Sequence, residues 1–451
     1  MASNGSHTPM NAELAPLSHA QHRVLLTEHS SPGNAENMVI FGHLLTGSPS
    51  PDELRAGLRD VVSRHSILRT TYGWLDGCPV QRTLDLAACE PQVEFLPKTT
   101  VESPQEMAHL AAASTADWWG SRFELANPPM RVRYLPLAER GLGGLLFIGL
   151  HHIACDGWSV PVFSADLATA CSARRVGQPP GWSAVPSYQS YAFWEQSQVD
   201  SWLSADLPFW RETLSREVGQ ALPSAPSRHE APMGECGALL DASTVGALLM
   251  QGRRLGGLPL SLLLSASAEA IGRQTGAARI AMSTVLSGRL EARFRSVMGC
   301  FVNPIPIPVT RPRGGDLAGQ LTANTRTMLR CLRHSRTPVD ELTRVLRAEI
   351  AQARWFDLMV IFDDSVPARS GTDARGVGVR TRGLPTAPLP VSVRRPRTST
   401  TVTLQTFRQH DGSWLLQGRW RRDTVSDEFG QQFMADIVSF LRNIWAGMAK
   451  C

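Results

Sequence analysis

A mixed α/β chain built as two packed domains is the fold class this sequence predicts, on three observations. Its 451 residues exceed what one hydrophobic core usually serves, since single domains run to roughly 100–200 residues. Helix-period segments alternate with short apolar runs, without the long Gly-rich punctuation of a nucleotide fold. Between Arg175 and Ala184 the composition turns to Gly177, Pro179, Pro180 and Gly181, as in a connector. The expected division is therefore 1–180 and 181–451, with a large interface between the two.

In the first domain, Ser18 stands where it can cap a short helix beginning at His19. Leu54, Leu58, Val61 and Val62 recur at helical spacing, and Arg64 to Tyr72 then turns extended. A helix is expected from Pro104 to about Trp119, with Met107, Leu110, Ala111 and Trp118 on one face. Met130 to Leu137 and Leu145 to Leu150 read as strands. Val160, Phe163, Leu167 and Ala170 then mark a helix.

In the second domain, a helix with Tyr188, Tyr191, Phe193 and Trp194 leads into another near Phe209 and Trp210, and Gly219 to Gly234 reads as a Pro/Ser-rich bridge. Val245 to Arg254 and Leu260 to Ile271 are expected helices, the second with Pro259 where a first-turn proline costs little. Ala278 to Leu286 alternates as a strand does. Three prolines at alternating positions, Pro304, Pro306 and Pro308, remove amide donors and confine their segment to an edge strand or loop. Asp316 to Cys331 reads as a helix and Phe356 to Phe362 as a strand. Val402 to Phe407 and Ser413 to Arg419 form an expected hairpin across His410-Asp411-Gly412, and Phe429 to about Met448 closes the chain as a helix.

Composition removes several functions. Hydrophobic residues make up 43% of the chain, and no run of 18 or more apolar residues suggests a membrane span. Met1 to Ser6 does not lead into a secretory signal, so a cytoplasmic protein is expected. The cysteines at 78, 89, 155, 171, 236, 300, 331 and 451 include no CxxC and no zinc-like spacing, so no metal site is expected. The net charge of +5 rests on dispersed arginines, with lysine only at 98 and 450. Of the clusters Arg253-Arg254, Arg394 to Arg397 and Arg419 to Arg422, only the last holds an aromatic, Trp420, which is too little for a base-stacking surface. Nucleic acid is not an expected partner.

The informative stretch is His151-His152-Ile153-Ala154-Cys155-Asp156-Gly157-Trp158-Ser159, directly after the apolar run Leu145 to Leu150. A strand ending in two histidines, an acid and a glycine is built as a catalytic corner. Five fragments in order then resemble the condensation domains of nonribosomal peptide synthetases, relatives of chloramphenicol acetyltransferase, over nearly the whole chain. The His-His-x-x-x-Asp-Gly pattern matches His151, His152, Asp156 and Gly157. The opening Ser-x-Ala-Gln-x-Arg pattern matches Ser18, Ala20, Gln21 and Arg23. The Arg-His-x-x-Leu-Arg-Thr pattern matches Arg64, His65, Leu68, Arg69 and Thr70, with Ser66 where a glutamate is usual. Tyr188, Tyr191, Ala192 and Trp194 match a fourth pattern, and Gly299, Phe301, Val302 and Asn303 a fifth. His334 to Asp340 and Arg354 to Asp357 echo later family motifs only loosely.

The resemblance implies two chloramphenicol acetyltransferase-like halves in a V with a tunnel between them, entered from either side by a carrier protein's arm. It implies that His152 points into that tunnel as the catalytic residue, while His151, Asp156 and Gly157 shape the corner. Asp156, once buried, must be paired; Arg64 is the expected partner and Arg69 the next. Gln21, Arg23, Trp158, Ser159 and Asn303 are the other tunnel candidates, and Tyr188 and Trp194 are expected to pack rather than read substrate. No adenylating or carrier domain flanks the match, so a free-standing enzyme is expected to meet acyl- or peptidyl-carrier proteins in trans. The 4'-phosphopantetheine arm would belong to the carrier, and the enzyme itself would bind no cofactor.

Acyl transfer from a thioester needs a nucleophile near the carbonyl carbon, a group to take the proton, and donors for the developing oxyanion. An imidazole, with an ordinary pKa near 6.5, suits the proton relay, and the amide of Gly157 is an oxyanion-donor candidate. Cys155 is expected to face away from the tunnel, favouring direct transfer over an acyl-enzyme. The acceptor, carrier-bound or a small molecule, is expected to be an amine, giving an amide. A hydroxyl giving an ester, or a non-catalytic docking role, are the alternatives.

Overall fold

The computed structural model describes residues 13–30, 37–46, 49–119, 121–138, 142–214, 222, 233–312, 316–348, 350, 354–363, 380–383, 400–409 and 411–446. In chain order the first half carries β1 (Glu13–Pro16), α1 (His19–Ser30), β2 (Met38–Thr46), α2 (Pro51–Arg64), β3 (Thr70–Leu75), β4 (Cys78–Thr83), β5 (Val93–Phe95), α3 (Pro104–Ala113), β6 (Met130–Pro136), β7 (Leu142–His151) and α4 (Ser159–Arg175). A long helix, α5 (Tyr188–Leu214), follows. Then come β8 (Met233–Leu240), α6 (Ala242–Arg254), α7 (Pro259–Thr275), β9 (Arg279–Leu286), β10 (Asn303–Thr310), α8 (Leu317–Arg333), α9 (Val339–Val345), β11 (Leu358–Asp363), β12 (Arg380–Gly383), β13 (Val402–Arg408), β14 (Trp414–Arg421) and α10 (Asp427–Ala446).

Three sheets form among the described residues, ordered β12-β2-β7-β6-β5, β1-β4-β3 and β10-β9-β11-β13-β14-β8. Strand β7 is central in the first. Leu145, Leu146, Ile148 and Leu150 are wholly buried, because a strand covered on both faces reads as a continuous apolar run. Gly149 is required there: a side-chain carbon would lie 2.9 Å from the Trp118 indole. The proline-bearing β10 is an edge strand paired antiparallel with β9, as its missing donors dictate. Strands β13 and β14 form the expected antiparallel hairpin; His410 in its turn lies outside the described residues.

Several elements differ from expectation. The helices anticipated near Tyr188 and near Phe209 are one helix, α5, running through Pro208. Helix α3 stops at Ala113, and Trp118 sits in a separate 3-10 turn over Ala116–Trp118. Strands β2 and β8 were not anticipated, nor was the β3–β4 hairpin. Its turn is Asp76-Gly77, with φ of 50° and 76°, the left-handed pair that a type I′ turn demands. Most of the Pro/Ser-rich bridge from 219 to 234 lies outside the described residues, as do Arg394 to Arg397.

The two halves interlock. Strand β12, from late in the chain, pairs antiparallel with β2 of the first half. One apolar core holds Trp210, Trp355, Trp414 and Phe433 in the second half. Another, built around α2, β7 and α4, also takes in Tyr188, Tyr191, Phe294, Met298 and Phe301 from beyond residue 181. Among the described residues no single helix is long and apolar enough to cross a membrane. Helices α6 and α7 pass that test only as a pair bent by 91°, and α7 is buried along most of its length, so its apolar composition serves the core.

Candidate active site

Strand β7 delivers His151 at its end, and His152–Ala154 turns through one 3-10 step before Asp156 and Gly157 lead into α4. His151 is 2% exposed. Its Nδ1 accepts the Ile153 amide at 3.2 Å, its Nε2 faces Glu28 at 3.5 Å, and its ring meets Phe123 edge-on with centroids 5.6 Å apart. The ring is thereby held by one hydrogen bond and by packing. His152 is half-buried, with Nδ1 3.5 Å from the Cys300 thiol. Burial lowers its pKa below 6.5, opposed by a hydrogen bond to its own backbone and by the charge of Asp156, because desolvation disfavours the imidazolium.

Asp156 is 1% exposed and fully satisfied. Its Oδ1 accepts the Ser159 amide and hydroxyl, both at 2.9 Å, capping the first turn of α4. Its Oδ2 accepts the Phe301 amide at 3.1 Å. Arg289 closes the set, with one NH group 2.5 Å from Oδ2 and the other 3.0 Å from Oδ1. This guanidinium is 2% exposed along its side chain and lies over the Phe301 ring, 4.0 Å from its centroid.

The expected partnership of Asp156 with Arg64 is therefore corrected. Arg64 ends α2, which packs on α4, and its Nε donates to Asp166 in α4 at 2.9 Å while its guanidinium stacks 4.8 Å over Trp182. Arg69 donates to the Leu84 carbonyl instead. Arg289 was missed because 133 positions separate it from Asp156. A local signal existed: it follows Gly288, whose φ of 60° sits in a turn where a side-chain carbon would lie 2.0 Å from the Phe301 carbonyl oxygen.

The remaining candidates divide. Ser159 is a hub: with its hydroxyl proton on Asp156, its Oγ accepts the Gly299 amide at 3.1 Å and lies 3.1 Å from the Gly299 carbonyl oxygen. Gln21 and Ser18 form a capping box at the start of α1, each accepting the other's amide at 3.1 Å. The Gln21 side-chain amide also reaches the Ile153 carbonyl at 3.5 Å, tying α1 to the histidine turn. Arg23 donates to the Val302 carbonyl at 2.7 Å and approaches Asp340 at 3.4 Å, bridging the halves. Asn303 donates to the Ser335 and Thr337 carbonyls at 3.1 and 2.9 Å and accepts the Val339 amide at 2.9 Å. Its contacts hold the loop before α9 rather than the histidine corner. Arg23 and Asn303 share the wall of a cavity of about 20 Å³, room for one water, that does not include His152.

Gly157 and Trp158 are exposed. A side-chain carbon on Gly157 would lie 3.7 Å from Asp363 Oδ2 at the end of β11, so the loop after the two histidines faces the second half across a narrow gap. Trp158 donates its indole N–H to the Arg295 carbonyl at 2.9 Å. Tyr188 and Trp194 sit in an aromatic cluster with Tyr191, Phe294 and Phe301, which is packing.

Gly299 provides a direct test of this junction. A side-chain carbon there would lie 1.9 Å from the Tyr188 ring, and that ring is pinned through its hydroxyl to Ser18 Oγ at 2.7 Å and to the Cys300 carbonyl. Gly299→Ala should cost about 1–3 kcal/mol of stability, whereas Gly157→Ala, meeting only ordinary contact, should leave the melting temperature unchanged. Thermal melts by circular dichroism read both.

The family model described as Condensation domain matches residues 11–444. The chain is 29% identical over 378 residues to the probable non-canonical nonribosomal peptide synthetase CymA of Salinispora arenicola; the match covers 81% of this chain and 5% of that protein. The chain thus spans a small part of the length of this curated relative. Among solved structures, the SgcC5 protein of Streptomyces globisporus superposes with a TM-score of 0.79 at 19% identity, covering 96% of this chain and 98% of that one. The X-domain solved in complex with OxyB from teicoplanin biosynthesis superposes with a TM-score of 0.75 at 21% identity, covering 99% and 96%.

Proposed function

The chain belongs to the condensation-domain family, and from that premise we propose that it is an acyltransferase that moves a carrier-bound acyl or aminoacyl group from its thioester to an amine, forming an amide. What carries the reading is one imidazole: His152 is half-buried beside Cys300 of the second half, on a turn held by the hydrogen bonds of Ile153 and Asp156. In the step itself the acceptor nitrogen attacks the thioester carbonyl carbon. Nε2 of His152 takes the proton, the carbon–sulfur bond breaks, and the imidazolium returns the proton to the leaving pantetheine thiolate. The amide of Gly157 would serve as a donor to the oxyanion. The donor's phosphopantetheine arm belongs to the carrier protein, which docks in trans.

The test loads a candidate carrier with donor and offers free amine, free alcohol and carrier-bound amine, with the product identified by intact mass. An amide product supports the proposal; an ester alone replaces it with hydroxyl acylation. No transfer to any acceptor favours a recruitment role, the reading suggested by a fold neighbour solved with a partner enzyme.

The pH profile gives a second check. Because burial lowers the pKa of His152, the neutral, proton-accepting ring persists to a pH below 6.5. The acid limb of kcat should bend below about 6.5 with a hydroxyl acceptor, which does not titrate in this range. An α-amino acceptor adds its own bend in kcat/KM near about 7.7–8.0. Rates measured from pH 5 to 9 separate the two.

A further inference from the structure

Three successive residues of the second half are fastened to the catalytic corner. The Gly299 amide donates to Ser159 Oγ at 3.1 Å, the Cys300 carbonyl accepts the Tyr188 hydroxyl, and the Phe301 amide donates to Asp156 Oδ2 at 3.1 Å. Between these anchors the wholly buried Cys300 side chain places Sγ 3.5 Å from His152 Nδ1. We propose that Cys300 is a positioning residue for His152, its sulfur occupying Nδ1 so that Nε2, with its lone pair free, is the nitrogen offered to the acceptor. The inference rests on His152 being the base of the transfer reaction.

A cysteine beside a histidine also suggests a nucleophile, and the surroundings argue against it. Cys300 exposes no surface, and burial pushes its thiol up to about 12, so almost no thiolate, the reactive form, exists near neutrality. The contact is between neutral groups. For Nε2 to take the acceptor's proton, the proton of the neutral ring must sit on Nδ1, where the Cys300 sulfur is the neighbouring acceptor. Free neutral imidazole in water prefers the other tautomer, so the protein imposes this one. Cys300 is separated from His152 by 148 positions, and no pattern around the histidines announces it.

The test has a readout independent of turnover. Nitrogen-15 NMR of the His152 ring at a pH where it is neutral should show Nδ1–H in the wild type, a shift towards Nε2–H in Cys300→Ala, and the wild-type tautomer in Cys300→Ser. In transfer assays Cys300→Ala should lower kcat roughly 10- to 100-fold with KM within about twofold, and Cys300→Ser should restore most of it. The proposal is overturned by an Nε2–H tautomer in the wild type, or by Cys300→Ala with unchanged tautomer and kcat. It is equally overturned if Cys300→Ser is as defective as Cys300→Ala and the wild type carries an acyl adduct on Cys300. Absence of product from the wild type strikes the transferase reading alone, since the tautomer is still read.

Discussion

His152→Ala should reduce acyl transfer by roughly 10²–10⁴-fold while the protein stays folded, the range that removal of a general base produces. At about 1.4 kcal/mol per tenfold, this is on the order of 3–5 kcal/mol of transition-state stabilisation. The fold should tolerate the change because the ring is half-buried and its side-chain contact of note is a 3.5 Å approach to a thiol. His151→Ala makes the contrast. That ring is 2% exposed, accepts a backbone amide and packs edge-on against Phe123, so its loss should lower the melting temperature along with activity. Single-turnover transfer from a loaded carrier, paired with thermal melts, measures both. Near-normal transfer by the His152 variant would remove the imidazole from the mechanism.

The contiguous part of the site could be read from the sequence; the parts joined through space could not. His151, His152, Asp156, Gly157 and Ser159 lie within nine positions on a strand–turn–helix, and the apolar run before them fixes where the strand ends. Partners are another matter. Arg64 was expected to neutralise Asp156 because it belongs to a recognisable pattern, yet Asp166, one face of a helix away, takes it. Arg289 and Cys300 reach the corner from the second half, through a turn that Gly288 makes possible.

Secondary structure followed the same rule. Periodic segments such as α2, α7 and the β13–β14 hairpin matched their patterns. Strand β12 owes its existence to pairing with β2, more than 330 positions earlier by the offset between its first partners, Arg380 and Thr46, and no local periodicity encodes that. The β3–β4 turn was legible in Asp76-Gly77, an overlooked signal rather than an absent one.

Asp156→Ala should be the most destabilising change at the site. It strands the Arg289 guanidinium, 2% exposed along its side chain, and breaking one side of a buried ion pair costs about 3–5 kcal/mol. It also leaves the Phe301 amide without its acceptor, while the Ser159 amide keeps the main-chain carbonyl of residue 156 at 3.0 Å. Arg289→Ala should cost less. Asp156 then keeps the Ser159 amide and hydroxyl and the Phe301 amide as donors, enough to hold a carboxylate in place.

The order of these two effects separates a buried pair from a surface one, in which either truncation would cost under about 1 kcal/mol. Adding Arg289→Met to Asp156→Ala removes the stranded charge while preserving bulk over Phe301, so the double variant should be more stable than Asp156→Ala alone. Neighbours in one network are expected to be non-additive in this way. Denaturant melts of the wild type, the single variants Asp156→Ala, Arg289→Ala and Arg289→Met, and the double variant supply the numbers. Additive losses would mean that the carboxylate and the guanidinium act separately, and that the two halves are held at the corner by the Ser159 and Phe301 hydrogen bonds alone.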